Sequence, residues 1–357
     1  MKIIQIFPGK IWGGAEQYVL DLGRELRRRG NDVIFMARDC DTVTDHLDRD
    51  GEKYLRLPFS WSLDRSAVKA LASVMSDADV VHIHSVKFVP AAVMAKRISG
   101  SNANIVMTRH DAHRTPANIF FRPFFRQLHN IIFVSDMARR AWTGANRWFP
   151  AGKCKVVLNS IPPYEPEPVE SLRDKYSIPP STPLLLFSGR VKKTKGCEVL
   201  VKALCQLADR EFAMVFIGSW NHRGYDRKLL SLAAKAGIAD RIHFYGFTDK
   251  ARHFIKQADI AVAPSVFRDP CPLSNLEFVQ NGICEITTNN GGQAEYLVDG
   301  ETALLVDPAD HMQLARAIAR VLDDKELRAR LAAAGKAYYD ANMTYDKFVD
   351  KITAIYR

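Results

Sequence analysis

The apolar residues in the first half of the chain fall into short runs separated by amphipathic stretches. Each run has five or six residues and is bounded by polar residues or glycine, which is typical of a buried strand. The predicted strands lie at 2–7, 32–37, 79–84, 104–108 and 130–134. After the first of them, Tyr18, Leu22 and Leu26 recur at helical spacing, and Gly30 ends the pattern. Strands that alternate with helices predict a parallel, doubly wound α/β sheet.

The same alternation restarts in the second half, after a proline-rich connection at 155–169. Residues that precede proline avoid the helical conformation, so this connection predicts a domain boundary near 162–175. Further strands are predicted at 183–188, 212–217, 242–244, 260–263, 284–288 and 303–306, and helices at 197–208, 273–280 and 345–356. The chain is therefore predicted to form two Rossmann-like domains, 1–165 and 166–340, followed by a terminal segment at 341–357.

Charge is distributed unevenly between the two halves. Of the net charge of +10, residues 1–165 carry +8, with 24 Lys and Arg against 16 Asp and Glu. This excess predicts an anionic partner for the first half, and a membrane surface, a phosphorylated acceptor and nucleic acid all qualify. Nucleic acid is disfavoured because no recognisable binding module accompanies the charge.

The six cysteines are scattered, without C-x-x-C pairs or zinc-like spacing to histidine. This usage predicts reduced thiols in a cytoplasmic protein. No run of about 18 apolar residues occurs, so no segment is expected to span a bilayer. No trio of His, Asp and Glu has metal-ligand spacing, and the sequence predicts no metal site and no cofactor.

Two loops of the second half combine charges that suit a diphosphate. In the first loop, Arg190 and Lys195 follow the strand predicted at 183–188, and they offer phosphate oxygens a planar fork of donors and a compact charge. Lys192 and Lys193 add to the local potential but are expected to be solvated. Basic residues in a loop are usually surface charge. The interpretation of this loop as a phosphate-binding site therefore depends on the acidic motif that accompanies it.

The acidic partner is Asp269, followed eight positions later by Glu277 in the helix predicted at 273–280. Prolines just before this helix lack N–H groups and suit a loop or a helix start. The first-turn amides, including those of Leu273 and Ser274, would then be free donors that face an anion. Glu277 could accept hydrogen bonds from a vicinal diol such as ribose. The alternative is a helix cap at Asp269 and a surface acid at Glu277.

A glycine pair, Gly13 and Gly14, lies between the first strand and the first helix. Such glycines let backbone N–H groups approach an anion at a helix N-terminus. The pair does not form the G-x-G-x-x-G dinucleotide motif, and a plain flexible turn is the alternative.

In order and spacing, these motifs resemble those of the retaining glycosyltransferases of family 4, which have the GT-B fold. The stretch GRVKKTKG at 189–196 is similar to the family's G-R-x4-K-G, DPCPLSNLE at 269–277 to E-P-x-P-L-x-x-x-E, and GGQAE at 291–295 to G-G-x-x-E. The resemblance covers nearly the whole chain. It implies two Rossmann-like domains that face each other across a cleft, an N-terminal one for the acceptor and a C-terminal one for the nucleotide-sugar donor. It also implies a terminal helix that packs back toward the first domain.

The resemblance implies roles for the matching residues of the second domain. Arg190 and Lys195 would hold the donor diphosphate, and Glu277 would bind the ribose hydroxyls. Asp269 would contact the transferred sugar.

Other donor contacts are implied on both sides of the predicted cleft. The backbone near Phe247 would meet the base, and Gly218 would line the same cleft. Gly13 and Gly14 would approach the donor phosphate and sugar. His110, in MTRHD, matches a histidine that reaches the sugar near the reaction centre. The residues expected to serve the chemistry itself are His110, Arg190, Lys195 and Asp269.

Two positions depart from the family pattern. The first acid of the second motif is usually Glu, and Asp269 is one methylene shorter, so its sugar contact is expected to be looser or to suit another sugar. At Glu285 the family has an apolar strand, and a charge inside a buried strand is unusual.

Two further sites are predicted in the basic half. His84 ends a predicted strand and could face the acceptor, although a structural histidine is favoured at this position. The segment 120–126 mixes phenylalanines with Arg122 and Arg126, which suits the interface of an anionic membrane. The alternative places these phenylalanines in the core.

We expect a retaining glycosyltransferase of the hexosyltransferase type. It would transfer a sugar from a UDP-, GDP- or ADP-sugar to a glycan or lipid-linked saccharide in polysaccharide assembly. Arg190 and Lys195 would neutralise the leaving diphosphate in place of a metal. The protein would be cytoplasmic, with a possible peripheral position on the inner face of the cell membrane. The alternatives are a nucleotide-sugar epimerase or phosphorylase of the same fold, and a catalytically silent binding protein.

Overall fold

A computed structural model describes residues 1–9, 12–114, 117–165, 167–220 and 224–357. Lys10 and Ile11 of the glycine loop and Pro166 of the proline-rich connection lie outside the described residues. The strands are β1 (Lys2–Ile6), β2 (Asp32–Arg38), β3 (Tyr54–Leu57), β4 (Val80–Ile83), β5 (Asn104–Arg109), β6 (Asn130–Phe133), β7 (Cys154–Val156), β8 (Leu184–Ser188), β9 (Ala213–Ile217), β10 (Ile242–Gly246), β11 (Ile260–Ala263), β12 (Cys284–Thr288) and β13 (Leu304–Val306). The α-helices are α1 (Gly14–Arg28), α2 (Asp41–Arg49), α3 (Arg65–Met75), α4 (Val89–Ser99), α5 (Arg122–Phe125), α6 (Asp136–Ala145), α7 (Leu172–Lys175), α8 (Cys197–Cys205), α9 (Tyr225–Ala234), α10 (Leu273–Gln280), α11 (His311–Asp323), α12 (Lys325–Asn342) and α13 (Tyr345–Tyr356).

The chain divides into two compact units. Unit 1 comprises Met1–Pro162 together with Tyr345–Arg357, and unit 2 comprises Pro163–Thr344. The division falls between two consecutive prolines, and the last helix, α13, belongs to unit 1 although it follows unit 2 in sequence.

Unit 1 contains a parallel sheet with the strand order β3-β2-β1-β4-β5-β6-β7. The five inner strands are those that the apolar runs predict. The two edge strands, β3 and β7, are additional, and most of their residues are only partly buried or exposed. These two strands, with the sequences YLRL and CKV, include exposed and half-buried residues, so they lack the continuous apolar run that marks a strand covered on both faces.

Unit 2 contains a second parallel sheet, with the strand order β10-β9-β8-β11-β12-β13. All six strands coincide with predicted apolar runs. The two sheets confirm the prediction of two doubly wound, parallel α/β domains.

Both sheets reverse their strand order at one point, between β1 and β4 in unit 1 and between β8 and β11 in unit 2. In doubly wound folds, the loops that leave the carboxyl ends of the two central strands at this point diverge and open a crevice for a ligand. The predicted residues Gly13 and His84 follow β1 and β4, and Arg190 and Asp269 follow β8 and β11. Each unit therefore presents its candidate residues where its own topology favours binding.

Helices cover both faces of each sheet. In unit 1, α13 places Phe348, Val349 and Ile352 in the same buried cluster as Val19 and Leu22 of α1. The terminal helix is therefore an integral part of the unit 1 core, which explains why it separates from unit 2.

Candidate functional site

The basic loop of unit 2 begins where three strands end in close backbone contact. A Cβ atom on Gly218 would lie 2.0 Å from the carbonyl oxygen of Gly189, and both residues have positive φ angles, of 139° and 144°. The N–H of Gly218 donates to the carbonyl of Gly246 at 2.8 Å. Glycine is therefore required at Gly218 by packing at the strand ends, independently of any donor contact.

A second glycine presses the basic loop against the end of β11. Gly196 has a φ of +77°, and a Cβ atom there would lie 1.8 Å from the carbonyl oxygen of Pro264. This approach brings Lys195, the preceding residue, next to the acidic loop that follows β11. The motif G-R-x4-K-G thus ends in glycine for a steric reason.

Lys195, which is expected to bind phosphate, and Asp269, which is expected to contact the sugar, form an ion pair. Lys195 Nζ lies 2.7 Å from Asp269 Oδ2, and the two side chains are 22% and 23% exposed. Ion pairs at such partly exposed positions contribute little net stability, so a bound ligand can replace this one at modest cost. The contact therefore orients both side chains and leaves them able to exchange this contact for one with a ligand.

The positive charge around this pair exceeds the negative charge. Arg190 is exposed and makes no hydrogen bond or ion pair with any described residue. Lys192 is partly buried, and burial together with the nearby charges of Arg190 and Lys195 lowers its pKa. Sequence analysis placed Lys192 in solvent, but the structure adds it to the basic cluster. Three cations beside the single carboxylate of Asp269 suit a ligand with two negative charges, such as a diphosphate.

The third motif supports the second. The N–H of Gly292 donates to the carbonyl oxygen of Asp269 at 2.9 Å, and a Cβ atom on Gly291 would lie 2.6 Å from the same oxygen. The side-chain amide of Gln293 donates to the backbone carbonyl of Thr288 at 2.6 Å. This hydrogen bond anchors the loop that contains Gly291 and Gly292 to the end of β12. Direct backbone contact therefore fixes the position of the third motif against the second in the folded protein.

Helix α10 begins beside Asp269 with open amides. Its N-cap, Pro272, provides no side-chain acceptor, and Leu273 and Ser274 of the first turn are partly exposed. By contrast, α11 and α12 of the same unit begin on Asp310 and Asp324, whose carboxylates accept from first-turn amides. The first-turn amides of α10 can thus face an anion, as the sequence predicts.

Glu277 lies one turn into α10, with a side chain that is 16% exposed. Arg252 Nη2 lies 3.5 Å from its Oε1, and the Arg252 guanidinium lies over the ring of Tyr164 at 5.0 Å. Arg252 was missed by sequence analysis because it belongs to a short 3-10 turn after β10 and carries no motif. Phe247, at the start of the same connection, is 75% exposed, as a surface for a base requires.

In unit 1, the glycine pair opens α1, and both glycines are exposed. The next residue but one, Glu16, is buried at 5% exposure in the first turn of the helix. Burial raises the pKa of Glu16 to about 7, although hydrogen bonds with backbone groups of Glu16, Gly13 and Gly9 oppose the rise. Sequence analysis missed Glu16, for which the available signal was an acid directly after two glycines at a helix start.

His110 and His84 are brought together in unit 1. His110 Nε2 lies 3.0 Å from His84 Nδ1, and the rings stack at 5.3 Å. Burial lowers the pKa of His110 to about 4, against the opposing charge of Asp111, and lowers that of His84 well below its usual range. Both rings are therefore neutral near pH 7.

The structure places His84 behind His110. His84 is only 4% exposed, and its second nitrogen, Nε2, lies 2.9 Å from Gln5 Oε1. Because both ring nitrogens are engaged inside the unit, the geometry favours the structural alternative over an acceptor contact at His84. His110, which keeps partial exposure, is the histidine of the pair that can reach a ligand.

The aromatic and basic segment at 120–126 divides between the two alternatives. Phe125 is buried at 5% exposure, whereas Phe120 is 81% exposed and Ile119 is 64% exposed. The guanidinium groups of Arg122 and Arg126 lie over the Trp148 ring at 5.3 and 6.0 Å. Part of the segment therefore belongs to the core, and its tip presents apolar side chains to the surroundings.

Glu285 is fully buried on β12, the second strand from one edge of the unit 2 sheet. Neither carboxylate oxygen has a hydrogen-bond partner among the described residues. Burial raises the pKa of Glu285 well above its usual range, and the nearby Asn275 side chain opposes the rise only in part. Burial thus favours the protonated, neutral form of the Glu285 carboxyl.

Within the described ranges, no helix is both long and apolar enough to cross a membrane. The same part of the chain contains no cluster of three or more His, Cys, Asp and Glu residues that could hold a metal ion.

Both halves of the chain match known protein families. Residues 12–164 match the model of the Glycosyltransferase Family 4 domain, and residues 168–338 match that of Glycosyl transferases group 1. A putative glycosyltransferase of Bacillus subtilis, YtcC, is 24% identical over 97% of this chain and 88% of its own. The phosphatidyl-myo-inositol mannosyltransferase of Mycobacterium leprae is 26% identical over 94% and 91%.

A solved structure of Anabaena HepE in complex with UDP has a TM-score of 0.82 with this chain, at 18% identity over 99% of both chains. HepE has also been solved with UDP-glucose. The two matched domains and the two parallel sheets define the class, a GT-B glycosyltransferase. The chain belongs to the family 4 type, which confirms the family and the fold expected from its motifs.

Proposed function

We propose that the protein is a retaining hexosyltransferase that uses a UDP-sugar and acts on a glycan or lipid-linked saccharide. The observation that carries this proposal is the basic cluster of Arg190, Lys192 and Lys195 beside Asp269 and the open first turn of α10. HepE, which shares the fold, binds UDP and UDP-glucose, and this favours the uridine nucleotide over GDP and ADP.

The donor contacts follow from this arrangement. Arg190 and Lys195 hold the diphosphate, and the amides of Leu273 and Ser274 face its oxygens. Asp269 exchanges its contact with Lys195 for the sugar hydroxyls when the donor binds. Glu277, steadied by Arg252, accepts hydrogen bonds from the ribose.

The transfer step needs no covalent enzyme intermediate. The bond between the anomeric carbon and the phosphate oxygen breaks, and its electron pair stays on the diphosphate, where the basic cluster stabilises the developing charge. The acceptor hydroxyl then bonds to the anomeric carbon on the same face, and its proton passes to the departing phosphate oxygen. His110 is not a carboxylate, and Asp269 is assigned to the sugar, so a double displacement lacks its nucleophile.

One relative suggests an acceptor class. The Mycobacterium leprae relative is a mannosyltransferase for phosphatidyl-myo-inositol, a lipid. A lipid-linked saccharide at the inner face of the cell membrane would fit the net charge of +8 on residues 1–165 and the exposed Phe120. We therefore place the enzyme in the cytoplasm, with a peripheral membrane position.

The test is a thermal-shift screen over UDP-, GDP- and ADP-sugars, with the Arg190→Ala variant as a control. A donor at 100 times its dissociation constant should stabilise the wild type by about 2.7 kcal/mol and the variant by much less. Transfer from the stabilising donor is then followed by NMR, which reports the anomeric configuration of the product, with and without EDTA. An inverted product would contradict retention, and activity that is lost in EDTA and restored by Mg²⁺ would contradict metal-independent neutralisation.

A further inference from the structure

Polar residues from three adjacent strands of unit 1 meet the last residue of the chain's last helix. Gln5 lies on β1, His82 on β4 and Thr108 on β5, and Gln5 and His82 are register partners. His84 follows β4 on the same face, because side chains alternate along a strand. Tyr356, the last residue of α13, is buried against this face.

Hydrogen bonds connect His110 to Tyr356. His110 Nε2 lies 3.0 Å from His84 Nδ1, and His84 Nε2 lies 2.9 Å from Gln5 Oε1. The Gln5 amide Nε2 then donates to the Tyr356 hydroxyl at 3.1 Å.

The series continues beyond the tyrosine. The Tyr356 hydroxyl lies 2.7 Å from His82 Nδ1, and His82 Nε2 lies 2.7 Å from Thr108 Oγ1. We call this series the relay, and in order its members are His110, His84, Gln5, Tyr356, His82 and Thr108.

Each histidine of the relay carries a single N–H. A buried, unpaired positive charge is costly, and burial lowers the pKa of His82 to about 3 and that of His110 to about 4. A neutral imidazole donates from one nitrogen and accepts at the other. His84 and His110 bond directly to each other, so these two rings must point in the same direction. His82 follows the same direction if the Tyr356 hydroxyl, which accepts from Gln5, donates its hydrogen to His82 Nδ1.

Gln5 selects that direction, because an amide has a donor end and an acceptor end. Its oxygen faces His84, so His84 carries its proton on Nε2 and accepts at Nδ1 from His110 Nε2–H. Its nitrogen faces Tyr356, so the tyrosine hydroxyl donates to His82 Nδ1, and His82 Nε2–H donates to Thr108. All three histidines then share the Nε2–H tautomer. Rotating the amide would reverse every bond at once.

We propose that Gln5 and Tyr356 are positioning residues that set which nitrogen of His110 carries the proton, and so leave Nδ1 of His110 as its accepting atom. The consequence for catalysis rests on the proposed function, in which His110 reaches the transferred sugar. Through Tyr356, helix α13 helps to order the ring of His110, which lies 246 positions earlier in sequence.

The tautomers can be measured in the full-length protein by long-range ¹H–¹⁵N correlation of the histidine rings near pH 7. We expect Nε2–H for His82, His84 and His110 alike. Three Nδ1–H rings would overturn the direction that Gln5 assigns, and a mixture of tautomers among the three would overturn the relay itself.

Tyr356→Phe tests the role of the helix, because it removes one hydroxyl and leaves the ring. Tyr345→Phe is the matched control, since Tyr345 is buried on the same helix and its hydroxyl has no hydrogen-bond partner among the described residues. With Tyr356→Phe we expect both tautomers at His110 and a roughly three- to tenfold lower kcat at nearly unchanged donor KM. The control should match the wild type in both measurements.

An unchanged His110 tautomer in Tyr356→Phe would overturn the positioning role. If the tautomers shift as expected but kcat does not fall, the catalytic consequence for His110 is overturned. If the wild type itself transfers no sugar, the proposed function fails, and the tautomer measurement still decides the relay.

Discussion

The candidate residues of the two units differ in how they hold charge. In unit 2, Arg190 is exposed, Lys195 and Asp269 are partly exposed, and all three charged residues lie close to one another in short motifs. In unit 1, His84 and His110 are neutral and lie in a buried hydrogen-bond series that connects residues far apart in sequence. The first arrangement suits an anion that arrives from solvent, and the second suits a ring that must keep one orientation. Binding and orientation therefore have separate physical origins in this protein.

The largest expected effect concerns the charged side of this comparison. Arg190→Ala and Lys195→Ala should each lower kcat/KM for the donor at least about tenfold, since each removes a charge-assisted contact of roughly 1.5–3 kcal/mol. The melting temperature should change little, because the loop is partly exposed. Lys193→Ala, an exposed lysine of the same loop, is the control. Equal donor kinetics in all three variants would contradict the assignment of Arg190 and Lys195 to the donor diphosphate.

A smaller effect concerns the stability of the protein and the buried carboxyl group of Glu285. Glu285→Leu should stabilise the protein by about 1–3 kcal/mol, because the wild-type carboxyl is buried without a hydrogen bond. The gain should grow between pH 5 and pH 8. A carboxyl whose pKa rises on folding keeps a proton that the unfolded chain releases above about pH 4.5, so the wild-type free energy of unfolding falls as the pH rises.

Urea unfolding at the two pH values measures this difference. Glu301→Leu, at an exposed position of the same unit, should change the free energy of unfolding by less than about 0.5 kcal/mol. Destabilisation by Glu285→Leu, or a gain that does not depend on pH, would show that Glu285 has a partner that compensates its burial.

The ion pair between Lys195 and Asp269 sharpens the assignment of the two acids. Asp269→Asn should lower turnover roughly tenfold yet leave UDP affinity equal or higher, because Lys195 is released for phosphate. Glu277→Gln should instead weaken UDP itself, because its assigned partner is the ribose. Calorimetry with UDP and turnover with the donor distinguish the two variants. The reverse pattern would exchange the roles of the acids.

The two units also differ in how much of their structure could be predicted from the sequence. Helices α10 and α13 begin and end at the predicted residues, and the six strands of unit 2 follow apolar runs. Strands β3 and β7 were not predicted because their exposed and half-buried residues leave no apolar run, unlike the edge strands β10 and β13 of unit 2. Gln5 and Tyr356, 351 positions apart, carry no motif, so only the folded topology brings them together.

Charge and burial at single positions were also beyond the sequence. Lys192 and Lys193 are adjacent and chemically identical, yet only Lys192 is partly buried beside Lys195. Arg252 reaches Glu277 from a separate loop. Such contacts depend on the side-chain directions at loop ends, which periodicity does not determine.

Glu16 offers a pH test on the neutral side of the comparison. Its pKa of about 7 means that the glycine loop gains a negative charge as the pH rises from 6 to 8. If this loop meets the donor phosphate, affinity for UDP-glucose should fall about threefold over that interval. Glu16→Gln should show no such fall, and His110, with a pKa of about 4, does not titrate there. A fall that persists in the variant would assign the titration to another group.

The smallest effect, at physiological salt, concerns the exposed tip of unit 1. Phe120 is 81% exposed, whereas Arg122 and Arg126 also pack over Trp148, so Phe120→Ser tests lipid insertion without disturbing that packing. On anionic vesicles at low salt, each of the two arginines should contribute about 1 kcal/mol.

Arg122→Glu combined with Arg126→Glu should therefore release the protein from these vesicles, and Phe120→Ser should weaken its binding further than salt alone does. Salt should also release the wild type, because the attraction is screened beyond a Debye length of about 8 Å at physiological ionic strength. Donor binding by unit 2 should survive all of these changes, since Arg190 and Lys195 are untouched. Co-sedimentation decides between the occupants of this surface. If the wild type stays in the supernatant at low salt, the membrane position is contradicted, and Phe120 has no role in lipid insertion. The positive charge of unit 1 would then be assigned to the binding of a soluble anionic acceptor.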